Sequence, residues 1–225
     1  MTPLRFFIFG ALVTFCNPSV TAQKIGIRAG MNSSTMFIKD HYHLYSGSYK
    51  LSPGLLAGVD LEFTTKRENF SIETAIQYAR KGYQIDEVRD IFSRENYDYQ
   101  EQMHLHYLEA PVHMKFSFPH NNWRFYLLAG GYFGVALSGH QKATAEFRKE
   151  TYYEEREVPI GRDPERNFLR SLDYGLSAGC GVHLGRFNLG ANAQYGLANI
   201  SSYREDEVVI KNKGVSVYLG FRLTR

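Results

Sequence analysis

Residues 102–137 read QMHLHYLEAPVHMKFSFPHNNWRFYLLAGGYFGVAL, and this stretch decides the fold. It alternates with a period of two. Leu108, Ala110, Val112, Met114 and Phe116 share one face; Tyr107, Glu109, His113, Lys115 and Ser117 share the other. A break follows at Pro119-His120-Asn121-Asn122. Beyond it Phe125, Leu127, Ala129, Phe133, Val135 and Leu137 alternate with Arg124, Tyr126, Gly130, Tyr132, Gly134 and Ser138. The pattern predicts two long antiparallel strands, apolar outside and polar or small inside. The run from Leu108 to Phe116 rises about 27 Å at about 3.3 Å per residue. Tilted, it spans about 20 Å, near the apolar band of about 25 Å on an outer-membrane barrel.

The same alternation predicts strands over residues 24–36, 53–64, 69–83, 170–184, 186–197 and 214–225. Together with the hairpin these make eight. The connections over 65–68, 119–122 and 185–186 are short. Those over 37–52, 84–101, 139–169 and 198–213 are long. Strict alternation of long and short is the signature of an all-β, eight-stranded, antiparallel, up-and-down transmembrane β-barrel of the smallest size class, with short periplasmic turns and long outer loops. Closure removes every free edge, as lipid requires.

Charge supports this register. Arg28, Asp60, Glu62, Glu73, Glu109, Lys115, Arg124, Asp173 and Arg222 all fall on the inward face, as an interior polar network. A one-residue slip turns a strand's charges into lipid, at about 2–4 kcal/mol for each Arg or Lys near the midplane. Eight strands leave an interior that side chains fill. The expectation is a plugged barrel, with Tyr126, Tyr132 and Tyr218 in the lumen.

The first 22 residues, MTPLRFFIFGALVTFCNPSVTA, place Arg5 before a short apolar run and end on small residues. They read as a secretory signal peptide cleaved after Ala22, leaving residues 23–225 as one domain. Only Cys180 then remains, so no intrachain disulfide forms; it faces lipid. The formal net charge of +3 gives no basic field for nucleic acid. Sixteen Tyr and sixteen Phe suit strands with aromatic girdles. The expected location is the outer membrane of a Gram-negative bacterium, as a monomer surrounded by outer-membrane lipid.

Several segments resemble the PorT-like outer-membrane β-barrel family. These are KIGIRAGMNSS (24–34), YLEAPVHMKFSF (107–118), NNWRFYLLAGGYFGVALSG (121–139), LDYGLSAGCGVHLGRFNLGANAQYGLANI (172–200) and GVSVYLGFRL (214–223). The likeness covers nearly all of the mature chain, and Tyr107-Leu108-Glu109-Ala110-Pro111-Val112 is its most specific piece. The family usually has a larger aliphatic residue where Ala110 stands. The resemblance implies the fold and the location. Its name-giving member belongs to a protein-secretion system, which adds the reading of an accessory component of secretion or transport.

Chemistry-bearing residues are sparse. His104 and His106 stand two apart on one strand face, a spacing that chelates Zn or Cu with Glu101 or Asp98 as a third ligand. The plainer reading, a wet strand end at the membrane surface, is the one expected. Asp40, His41 and His43 offer acid–base groups in the first outer loop. A solvated loop explains them too, and no G-x-S-x-G motif accompanies them. An outer-membrane enzyme using loop histidines is therefore the rival reading. Glu109, His113 and Lys115 read as a structural network. Tyr42, Tyr45, Tyr49, Tyr97, Tyr99, Tyr152, Tyr153 and Tyr203 lie among mixed charges in the long connections, a composition that suits recognition. The expectation is a structural or surface-interaction protein, not an enzyme. It has no catalytic residue and no cofactor, and its outer loops take a protein or glycan partner.

Overall fold

The computed structural model describes residues 23–39, 49–65, 67, 69–91, 95–147, 150–161, 163, 166–202 and 208–224. The signal segment and Asp40, His41, His43, Tyr42, Tyr45 and Tyr203 lie outside the described residues. Alternating sequence becomes strand throughout. The elements are β1 (Gln23–Lys39), β2 (Lys50–Thr64), β3 (Phe70–Ile91), β4 (Glu95–His120), β5 (Trp123–Phe147), β6 (Glu150–Glu157), β7 (Leu172–Leu184), β8 (Phe187–Gly196) and β9 (Val209–Arg222). Every pairing is antiparallel.

Eight strands close a ring. Neighbours in sequence pair around the wall, β5 pairs directly with β7, and β1 meets β9 from Gly26↔Arg222 to Lys39↔Val209. The ring is the one the alternation demands. The apolar set faces outward: Ile27, Met31, Leu55, Val59, Ile76, Leu108, Leu127, Phe133, Leu176 and Leu219 are all widely exposed. In water such a surface is a liability. As a belt of this height it is the lipid-facing wall of a barrel.

Above the belt the architecture departs from the sequence reading. Residues 84–101 are not a long loop: β3 and β4 stay paired up to Ile91↔Glu95. Residues 139–169 are not one loop either: β5 runs on to Phe147, and β6 folds back against it from Phe147↔Glu150 to His140↔Glu157. The alternation continues here with its polarity reversed. Inward positions become apolar (Tyr83, Ile85, Met103, Leu105), and outward positions become polar (Gln84, Asp86, Gln102). A search for apolar-outside strands ends where the outside meets water.

One bulge corrects a facing. Between His106↔Ser138 and Tyr107↔Ala136, β5 carries an extra residue, Leu137. A bulge shifts every later side chain to the other face. Ser138 is therefore exposed rather than inward, while Gly139 and Gln141 turn in.

The turn between β7 and β8 is two residues, Gly185-Arg186, and Gly185 adopts φ +60°. A side chain at Gly185 meets nothing within 4 Å, so the only obstacle there is backbone conformation. Gly185→Ala is expected to lower stability by about 1 kcal/mol, read as a shift in the urea midpoint of the micelle-refolded protein.

Candidate functional site

The half of the lumen nearer the short turns is a charge network. Lys115 Nζ lies 2.8 Å from Glu73 and 3.0 Å from Glu62, and it donates to His183 Nε2 at 2.9 Å. Arg28 holds Glu73 at 3.0 Å and Asp60 at 3.4 Å. Arg222 and Lys24 reach Glu62 at 3.2 and 3.7 Å. Tyrosines wrap the cations: Lys115 lies 4.3 Å from the Tyr126 ring centroid and Arg28 5.0 Å from that of Tyr218. Gly181 and Gly190 supply the room, since a Cβ on either meets Tyr126 or Tyr218. His113 meets Ser177 at 2.8 Å, and Ser177 donates to Asn192 at 3.0 Å. At the short-turn mouth, Lys24, Asp60, Glu62, His183, Asn188 and Arg222 line a pocket of only about 10 Å³.

Higher in the lumen sits a second, separate cluster. Lys81 Nζ lies 2.5 Å from Glu109 and 3.7 Å from Asp173, whose side chains are fully buried. Gln77 donates to Glu109 at 3.1 Å. Asp173 accepts from Asn212 at 2.9 Å and from the Tyr132 hydroxyl at 3.2 Å. The Tyr132 ring lies 4.3 Å from Lys81.

Above this cluster the lumen turns apolar. Met36, Tyr83, Ile85, Met103, Leu105 and Tyr107 pack with Val158, Leu169, Ala198, Ile200 and Ile210. The described residues over 158–161, 166–171 and 198–202 fold inward and supply Val158, Leu169, Ala198 and Ile200 to this cap. They are pinned by Arg170 N–H to Ile200 O at 2.8 Å and Ile200 N–H to Ile210 O at 2.9 Å. Ordinary hydrophobic burial stabilises this half, as in a water-soluble protein.

Outside the cap, the upper parts of β3, β4, β5 and β6 form a sheet standing above the belt. Its last strand, β6, is exposed at every residue and pairs only with β5 among the described strands. It carries Glu150, Glu154, Glu155 and Glu157 against Arg156. Glu155 accepts from Tyr153 at 2.6 Å and pairs with Lys142 at 3.1 Å. The Tyr153 hydroxyl and the Lys142 amine hold its carboxyl below the usual range.

A family model described as outer membrane protein beta-barrel domain matches residues 21–202. The chain belongs to that family. Among solved structures, this outer-membrane barrel is similar to Neisserial surface protein A at 9% identity, over 90% of this chain and 99% of that one, with a TM-score of 0.45. It is similar to the Escherichia coli outer membrane protein W at 14% identity, over 90% and 98%, with a TM-score of 0.40. It is also similar to the outer membrane enzyme PagL at 12% identity, over 85% and 98%, with a TM-score of 0.40. No curated protein matches the sequence. The protein is thus an outer-membrane β-barrel.

Within the outer-membrane barrel, the nine residues read as an interior network separate into three sets. Arg28, Asp60, Glu62, Glu73, Lys115 and Arg222 join in the lower cluster, and Glu109 and Asp173 in the upper one. Arg124 is the exception. It points along the inward face but is exposed, one register step from the turn and below the last packed layer at Tyr126. Lys81, the cation of the upper cluster, escaped the sequence reading. It stands only four residues beyond Gln77 on the same face, and continuing the alternation finds it.

The candidate metal set does not assemble. Strand parity turns Glu101 into the lumen, where Tyr83, Tyr99 and Gln141 each donate to it at 2.5 Å. The Tyr83 hydroxyl is pushed up by burial and by this carboxylate. His104 and His106 face outward, and Asp98 lies six residues further along β4. Among the described residues no group of three is placed to hold a metal ion.

Proposed function

We propose that this outer-membrane protein is a non-catalytic surface-recognition barrel whose working element is the free edge of β6. The carrying observation is an eight-residue strand, fully exposed, with one ladder of backbone groups unpaired among the described strands. Such an edge accepts another extended chain by strand addition. Four glutamates against one arginine select a basic partner. The lumen supports the same reading, because its side chains are committed to packing and pairing, and outward His104 and His106 have no carboxylate relay. The YLEAPV motif favours the PorT-like branch of the family, with residues 1–22 as a cleaved export signal. That branch keeps open an accessory role in protein secretion.

Replacing residues 142–155 by a two-residue turn joins Gln141 to its partner Arg156 and leaves the cap intact. The shortened protein is expected to remain heat-modifiable on gels. It should bind an alternating Lys-Thr peptide about tenfold more weakly than the full chain. If it binds equally well, or if Glu109→Gln abolishes binding in a folded barrel, the site is not the β6 edge.

A further inference from the structure

Four cationic or protonatable side chains meet on the outer wall where the apolar belt ends. Arg80 on β3 is the register partner of His106 on β4; His104 is the partner of His140 on β5. One residue pair below them, the same outward face carries Tyr78 and Leu108, then Ile76 and Ala110. The cluster therefore sits at the boundary between hydrocarbon and headgroups on the extracellular side. The rings are ordered: Tyr78 Oη lies 2.6 Å from His106 Nδ1, and His106 and His140 stand edge to face at 6.1 Å. His104 meets Ser52 at 3.4 Å, and Arg80 donates to Pro53 O at 3.0 Å.

None of the four has an ion-paired carboxylate among the described residues. Lys142 nearby is taken by Glu155, and exposed Glu157 forms no pair with its register partner His140. Basic groups held together at a membrane surface with no carboxylate in ion-pair contact, Glu155 and Glu157 lying across on β6, are placed to attract an anion. We propose that Arg80, His104, His106 and His140 bind the phosphate of a phosphorylated lipid in the outer leaflet, whose acyl chains lie along Leu108, Val135 and Leu137. Arg80 supplies the permanent charge and a bidentate fork. This site is independent of the β6 edge.

The histidines make the site responsive to acid. Burial first, then Arg80, His106, Lys142 and His140, hold His104 below its ordinary value. Burial, His140 and Arg80 do the same for His106. A bound phosphate favours the imidazolium forms, so binding takes up protons and tightens as pH falls towards and below the ordinary histidine range of about 6.5.

The test uses the full-length protein, extracted in detergent, and native mass spectrometry. An acylated diphosphoryl glucosamine disaccharide competes there with its dephosphorylated form. A preference of about tenfold for the phosphorylated lipid is expected. Arg80→Gln should abolish it, as should His104→Gln with His106→Gln in case loss of the Pro53 contact unfolds the first variant. Lys211→Gln with Lys213→Gln, elsewhere on the rim, should leave it unchanged. Equal retention of both lipids overturns the proposal. So does an equal loss in the Lys211/Lys213 control, or displacement of the lipid by millimolar inorganic phosphate, which would make free phosphate the ligand.

Discussion

Lys81→Met is expected to destabilise the folded barrel by about 3–5 kcal/mol, measured by equilibrium urea unfolding in micelles. The reason is isolation. Glu109 and Asp173 are fully buried, and Lys81 is their only ion-pairing cation among the described residues. Removing it leaves two buried carboxylates with only neutral donors, Gln77 and Gln194 for Glu109 and Asn212 and Tyr132 for Asp173. Adding Glu109→Gln and Asp173→Asn should restore most of the loss, because the neutral amides retain hydrogen bonds. Lys115→Met provides the comparison. Its partners keep other cations, Arg28 for Glu73 and Arg222 and Lys24 for Glu62, so it should cost less than Lys81→Met. The reverse order would show that the two clusters are not electrostatically separate.

Leu105→Ala should open the extracellular cap without unfolding the membrane belt. Leu105 is wholly buried at the centre of the cap, and truncating a core leucine costs about 2–5 kcal/mol. That cost falls on the described residues over 158–161, 166–171 and 198–202, which join the wall outside the named strands only through isolated bridges and single backbone bonds. Hydrogen exchange should show lost protection at the amides of Arg170 and Ile200, with amides along β7 and β8 unchanged. Uniform loss across the whole protein would mean that cap and belt unfold as one unit. The intact protein should give no steady conductance in planar bilayers, since charge pairs and tyrosines fill the lumen beneath the cap; Leu105→Ala should not create one.

The belt was legible in the sequence because lipid enforces a single rule: an apolar residue at one parity and a polar or small one at the other. Val112 and Lys115, or Leu176 and Ser177, declare their faces without any tertiary information. The upper half was not legible from the same rule, because water outside and a core inside invert it. Met103 and Leu105 carry the signal of an inward apolar face, but they adjoin His104 and His106 and read as a wet strand end. The bulge at Leu137 left no mark either, because Leu137 itself is apolar and fits the outward series. The metal reading of His104, His106 and Glu101 failed on parity alone, which a count along β4 reveals. The anionic-lipid site depends on cross-strand register between β3, β4 and β5, and spacing within one strand carries none of that.

The extra residue at Leu137 also constrains how this wall tolerates insertions and deletions. Even positions of β5 face inward from Tyr126 to Ala136, and odd ones do so from Gly139 to Gln141. Deleting Leu137 itself would cancel the bulge and keep Gly139 and Gln141 inward, whereas deleting His140 above it would bring Lys142 into the apolar cap and turn Gln141 away from Glu101. Length changes above the bilayer are therefore silent in steps of two. A step of one is tolerated only where it creates or cancels a bulge. Lineages of this barrel should differ in the height of the projecting sheet by even counts, with odd ones confined to the turns.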